Sequence, residues 1–443
     1  MVKVTLKGSY VVKPLKPTPI HRLGLSPIDQ IKSWTTETVY FYRPNGQPNF
    51  FSAETMKTAL SQALVEFYPL AGRIEKDKDG GLELNCNEKG ALFVEAESDS
   101  CIDDLSNFMP TPELSKLVPY ANYNGTQINE WPPLAVQITF FRCGGICLGM
   151  GISHVVADGA ASMLFITTWA QMARSNIVDP ELTPFLDRAV LHPRVQNEED
   201  TPKFDHIEYK RPPMLVGQVD EMEEQKKETT VAVLKLSSDQ VELLKRVANE
   251  GREKNGNVDN REYSRYESLA GHIWRCASKA RGLVNDQETK VQVSVDCRRR
   301  LRPAFPANYF GNATFPTTPM AKAGDLISKP LSYAAGKIRE SIKRMTDEYV
   351  RSAIDFLGSY RDLSRFRLGA RYWCPNLAIT SWVGLSLYTA DFGWGQPFHM
   401  GPATVRPDGK AFLVSAENGG IIIYLRLQTE HVVKFKELLY QGL

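Results

Sequence analysis
The sequence predicts a mixed α/β chain built as two domains of similar size. Three observations carry this. A single hydrophobic core stops growing at roughly 250–300 residues, and the chain has 443. Strand and helix patterns alternate through both halves. Between them, residues 193–227 hold prolines and mixed charge with little periodicity, which reads as a surface crossover. The expected organisation is a domain over 1–192, a linker over 193–227 and a domain over 228–443.

Taken in order, VYFYRP (39–44) reads as a strand and AETMKTALSQALVEF (53–67) as an amphipathic helix. YPLAGRIEKDKDGGLELNCNEKGALFVEAES then gives short strands divided at DGG and NEKG. AVQITFFRCGGICLGMGIS reads as two strands joined at CGG. In the second of them Ile146, Leu148, Met150 and Ile152 face one way, and Cys147, Gly149, Gly151 and Ser153 the other. A helix follows from SMLFITTWAQMARS. Beyond the linker, TVAVLKL is a strand, and Ser237 with Gln240 forms a capping box for the helix DQVELLKRVANE. SRYESLAGHIWRCASKARG is a helix, TKVQVSVDCRRRL a strand ending in a basic cluster, and residues 332–357 a long amphipathic helical region. The last ninety or so residues return to short strands with Gly and Pro turns.

Composition excludes several classes. Lys and Arg number 53 against 51 Asp and Glu, a net charge of +2, so no overall electrostatic footprint for nucleic acid exists. The start, MVKVTLKGSYVV, lacks the apolar core of a signal peptide, and no apolar run approaches the length of a membrane span. The expectation is a cytoplasmic monomer with no membrane partner. Seven scattered cysteines show no paired zinc spacing, and a reducing compartment argues against disulfides. Cys143, Cys147 and Cys276 read as small packing residues. The N-x-T sequons at Asn124 and Asn312 carry no weight in a chain read as cytosolic.

The stretch GMGISHVVADG places His154 where a strand pattern ends and a helix begins. Rigid scaffolds present reactive side chains at such strand ends. Gly149 and Gly151 strip bulk beside it, so a ligand or another backbone segment can approach closely. A neutral histidine, with an unperturbed pKa of about 6.5, is the usual general base near pH 7. On these residues alone, a hydrogen-bonded core histidine is equally admissible. A metal pair with Asp158 lacks a third ligand nearby, so no metal is expected. Asp158, before Gly159 at a helix start, has capping or a structural ion pair as its ordinary role. No G-x-S-x-G elbow supports a serine hydrolase. His272, inside AGHIWR, reads as structural, and the faces around Arg261, Arg265 and Lys279 as solvated.

HVVADG in mid-chain joins DFGWG at 391–395. The ordered pair resembles the plant BAHD acyl-CoA-dependent acyltransferases. SVDCRRRLRP with NYFGNAT, YPLAGR, CPNLAITSW and FKELLY extend the resemblance over nearly the whole chain. It is strongest to the hydroxycinnamoyltransferases of shikimate, quinate or spermidine. The resemblance implies two mixed-sheet domains of the chloramphenicol acetyltransferase-like type, with the active-site tunnel at their interface. It implies direct transfer from an acyl-CoA thioester to a small-molecule acceptor, with acyl-CoA a co-substrate and no further cofactor. His154 would be the general base. Asp158 would pair with Arg298 of the D-x-R stretch, in a structural role. Trp382 and Thr380 of ITSW would be donors to the oxyanion, where one donor can be worth roughly 3 kcal/mol. Asp391, Gly393 and Gly395 would build the CoA channel wall, and Ser264 or Arg265 would touch a CoA phosphate. A member of the same family that binds acyl-CoA without turnover is the competing, non-enzymatic reading.

The acceptor is contested within the resemblance. Ser153 before His154, Thr35 upstream of VYFYRP and Gly384 after SWV depart from the shikimate type, and the linker resembles the spermidine type. CPNLAITSW and the Arg367/Arg371 neighbourhood resemble the shikimate type, whose arginine holds a carboxylate. Thr35, Tyr40, Arg367 and Arg371 are the expected acceptor contacts. The lean from sequence is towards N-acylation of spermidine, with O-acylation of shikimate or quinate the alternative.

Overall fold
The computed structural model describes residues 3–443 apart from 79, 120–127, 176–178, 195–202, 219–220, 251–260 and 367–371. Strands of the first half are β1 (Val4–Val12), β2 (His21–Gly24), β3 (Thr35–Tyr42), β4 (Arg73–Lys76), β5 (Leu82–Cys86), β6 (Ala91–Ser98), β7 (Leu134–Phe141) and β8 (Ile146–Ser153). Those of the second are β9 (Thr229–Leu236), β10 (Glu288–Asp296), β11 (Thr314–Thr317), β12 (Met320–Lys322), β13 (Leu377–Ser381), β14 (His399–Pro402), β15 (Lys410–Ser415) and β16 (Ile421–Gln428).

Two large mixed sheets form. The first runs β1-β6-β7-β8-β3-β14, the second β11-β10-β13-β15-β16-β9 with β12 beside β10, and β2-β5-β4 make a small third. The parallel pairs are β6/β7, β10/β13 and β13/β15. β8 alternates as its sequence predicts: Ile146, Leu148, Met150 and Ile152 share one core and Cys147 lies in another. Both faces of that strand are buried. Helices Ala53–Glu66 and Gly159–Ser175 pack together on the first sheet, and Arg265–Ala280, Leu331–Arg344 and Thr429–Tyr440 on the second. The Ser237–Gln240 capping box is present, each residue's side chain accepting from the other's backbone N–H.

Four expectations need correction. The second half does not stay in its own domain, because β14 pairs with β3 and closes the edge of the first sheet. An unpaired sheet edge recruits a strand wherever the chain passes, and no local pattern announces which edge a four-residue strand will join. In return, Ile28, Ile31 and Leu191 enter the core of the second half. The crossover 193–227 is not merely superficial. His206 and Glu208 are buried; His206 sits 3.1 Å from Glu208 Oε1 and 3.0 Å from Ser352 Oγ, and Tyr349 donates to Glu208 at 2.8 Å. The helical region 332–357 is two helices, because Thr346 caps a new one over Asp347–Gly358. Cys143 is exposed rather than packed, whereas Cys147 and Cys276 are buried. Among the described residues no helix is long and apolar enough to cross a membrane.

Candidate active site
β8 ends at Ser153, and His154 is held there by its own backbone: its N–H donates to Trp34 O at 2.8 Å. The imidazole packs on the Trp34 ring, centroids 4.8 Å apart, and stays half-buried. Its Nδ1 lies 3.1 Å from Asn312 Oδ1. The Asn312 amide cannot be turned the other way. Its Nδ2 donates to Asp29 Oδ1 at 2.7 Å and to His154 O at 2.8 Å, while its Oδ1 accepts from Lys32 Nζ at 3.1 Å. An acceptor at Nδ1 requires the proton to sit on Nδ1, which leaves Nε2 with its lone pair free. Burial first, and the Lys32 ammonium second, push the histidine pKa down to about 3, against the opposing pull of Asp158. The ring is therefore neutral at pH 7.

The support behind this pair is a buried charge cluster. Arg188 reaches Asp29 Oδ2 at 3.1 Å and donates to the carbonyls of Val155 and Val156. Asp29 also caps the short helix after Ser26, accepting from Ser26 N at 2.9 Å and Oγ at 2.7 Å. Lys32 Nζ donates to Thr314 O at 2.6 Å, and burial lowers its pKa to about 8 despite Asp158 and Asp29.

Asp158 points away from the imidazole into a bidentate pair with Arg298, at 2.8 and 3.0 Å. It also accepts from Ala161 N, Ala313 N and Thr314 Oγ1, so it joins the helix start to the FGNAT segment. Burial raises its pKa, but the Arg298 guanidinium outweighs that and holds the carboxyl well below the usual range. Gly159 opens the following helix, and Leu385 Cδ1 stands 3.1 Å from where its Cβ would be. The SWVGL turn thus rests against HVVADG. In that turn Trp382 is buried with its ring 4.6 Å from Phe412. Thr380 Oγ1 accepts from Lys410 Nζ at 2.6 Å.

The remaining expected site residues separate. Thr35 pairs with Ser153 across β3 and β8, beside the base, and its buried hydroxyl has no hydrogen-bond partner. Tyr40, five residues on, is a core residue in this structure, fully buried with its hydroxyl 3.8 Å from Met163 Sδ. Arg367 and Arg371 lie outside the described residues. The Ser264 hydroxyl is already engaged: it caps the helix Arg265–Ala280 and forms a capping box with Glu267. Arg265 ion-pairs with Glu242 on the surface. Asp391 Oδ1 accepts from Gly393 N and Gly395 N at 2.9 and 3.0 Å, and both glycines have φ of +103°. DFGWG is therefore a self-capped turn, anchored by Phe392 on Trp169 and Trp394 on Phe51. His272 Nε2–H donates to Leu439 O at 2.9 Å, because a carbonyl only accepts, and so ties two helices together.

Sequence reasoning passes over Asn312, Lys32, Asp29 and Arg188. Asn312 stands out as a sequon and as a letter of NYFGNAT, with no role attached, yet its amide is fully buried in this fold.

A model described as the transferase family matches residues 2–441. Shikimate O-hydroxycinnamoyltransferase of Nicotiana tabacum is 45% identical over 99% of this chain and 100% of its own length. Hydroxycinnamoyl-CoA:piscidic acid hydroxycinnamoyltransferase of Actaea racemosa is 43% identical, again over 99% and 100%. Among solved structures, vinorine synthase aligns at a TM-score of 0.74 and 23% identity, covering 99% of this chain and 98% of that one, a likeness of fold. With His154 and Asp158 placed as described, the chain belongs to the BAHD transferase family and is an acyltransferase.

Proposed function
We propose that the protein transfers a hydroxycinnamoyl group from its CoA thioester to a hydroxyl of a small carboxylic-acid acceptor of the shikimate or quinate type. The observation that carries the chemistry is the free Nε2 of His154, fixed by the Nδ1 contact to Asn312. The acceptor reading moves from spermidine to a hydroxy acid because the two relatives described above are named for acid acceptors.

His154 Nε2 takes the proton as the acceptor oxygen attacks the thioester carbonyl. The negative charge moves to the carbonyl oxygen, for which the Thr380 hydroxyl and the Trp382 indole N–H are the donors. Because Thr380 Oγ1 already accepts from Lys410, its own proton is free to be given. Collapse breaks the C–S bond and expels the CoA thiolate, and the imidazolium returns the proton to sulfur. A base of depressed pKa gives that proton up readily, since a thiol has a pKa of about 8.5. Acyl-CoA enters as a co-substrate and no other cofactor takes part.

The test offers p-coumaroyl-CoA with shikimate, quinate and spermidine together and identifies the products by mass spectrometry. Esters of the hydroxy acids are expected. Spermidine amides alone would overturn the acceptor, and no CoA release with any acceptor would favour a silent acyl-CoA-binding member.

A further inference from the structure
Lys410 is the residue whose position the reaction as described does not explain. It lies half-buried on β15, with its ammonium 4.7 Å over the Phe412 ring and donating to Thr380 Oγ1. Among the described residues no carboxylate pairs with it. Burial, with no opposing charge, lowers its pKa to about 8. A desolvated cation without a counter-ion costs several kcal/mol and is kept where an anion comes to it.

Strand alternation shows where it faces. Leu377, Ile379, Ala411 and Leu413 point into the core of the second half, whereas Trp382, Val414, Ile422 and Tyr424 share a core with Val155 and Val156 of the histidine motif. Lys410, Thr380 and Phe412 fall on this second face by period two. The register places Gln292, Ala378 and Lys410 in one row across β10, β13 and β15. Gln292, Thr380, Lys410 and Phe412 are all partly exposed, so this polar row borders open space on the side of the sheet that looks towards His154. Arg426, half-buried on neighbouring β16, spends its guanidinium on Val405 O and Thr229, which leaves Lys410 as the cation of this row.

We propose that Lys410 forms the point that recognises the carboxylate of the acceptor. One of its ammonium N–H groups is held by Thr380 Oγ1 at 2.6 Å, which leaves two for the oxygens of a carboxylate and the Thr380 proton for the oxyanion. The same cation repels a polyamine. The proposal rests on the reading of the acceptor as a hydroxy acid.

The experiment compares shikimate with its methyl ester, using p-coumaroyl-CoA as donor, in wild type, K410M and K410R. The kcat/KM ratio of acid to ester is expected to fall at least tenfold in K410M and to recover in part in K410R. An equal loss on both acceptors would reduce Lys410 to a prop for Thr380, and a change confined to KM for p-coumaroyl-CoA would place it on the donor side. Either result overturns the proposal. K410Q repeats the comparison if K410M does not fold. Calorimetric titration of shikimate into wild type and K410M separates this proposal from the functional reading. Binding that needs Lys410, in an enzyme that esterifies neither acceptor, keeps the site and removes the proposed activity. Binding indifferent to Lys410, or none at all, removes the site.

Discussion
Asn312 Oδ1 stands 3.1 Å from His154 Nδ1, and the same oxygen receives the Lys32 ammonium at 3.1 Å. One amide oxygen thus fixes the tautomer of the base and links it to a buried cation.

Removing that oxygen should cost turnover before it costs binding. Asn312→Ala leaves Nδ1 without its acceptor and lets the proton move to Nε2, where it blocks the base. The expected loss is on the order of 10²-fold in kcat, with KM for acyl-CoA little changed. Steady-state kinetics on the folded variant decide this; an unaltered kcat would remove Asn312 from the mechanism.

The base itself gives a pH signature. With its pKa lowered to about 3, His154 is neutral through the whole range from pH 5 upward, so kcat/KM should show no acid limb near 6.5. His154→Ala should abolish turnover while the circular dichroism spectrum is retained. Lys32→Met removes a cation that disfavours the imidazolium, so the histidine pKa rises and the acid limb moves to higher pH. A limb that stays in place, or moves lower, contradicts the coupling.

Asp158 should act through the fold. Asp158→Asn leaves the Arg298 guanidinium buried against a neutral amide, and losing one partner of a buried pair costs about 3–5 kcal/mol. The sign with pH follows from the lowered carboxyl pKa. The contribution is complete above the unfolded value of about 3.9 and is lost as pH falls below it, towards the folded value. Thermal melts at pH 7 should show a large drop, while the folded fraction keeps its activity from pH 5 upward, because loss of the Asp158 charge lowers the His154 pKa further. Activity lost without any loss of stability would return Asp158 to the chemistry.

What the sequence made legible was periodic or motif-borne. β8 and the Gly159–Ser175 helix follow from alternation and helical spacing, and the role of Asp158 from its place before a glycine at a helix start. What stayed hidden depends on contacts across hundreds of residues. Lys32 and Asn312 meet over a separation of 280 positions, and neither carries a local pattern that says so. β14 is four residues long, and its partner is chosen by an edge of the other sheet. Ser264 was legible locally: its S-x-x-E spacing with Glu267 is a capping-box signal, and that box forms at the start of the helix Arg265–Ala280.

Gly149 joins the two kinds of evidence. Its place beside the histidine admits either a ligand or a second backbone segment, and the structure selects the backbone. A Cβ there would stand 1.8 Å from Leu117 O and 2.7 Å from Leu117 C, main-chain atoms that no rotamer change can move. At Gly151 the nearest atom is Thr35 Cγ2 at 3.2 Å, a side chain able to yield by a few tenths of an ångström. Gly149→Ala should therefore destabilise by more than about 3 kcal/mol, since overpacking against fixed backbone belongs to the severe end of the distribution. Gly151→Ala should fold, and because Thr35 borders the base it should alter KM for the acceptor more than stability. Equal melting temperatures for the two variants would mean that Leu117 yields, and that the glycine is there for something other than the close approach of the chain.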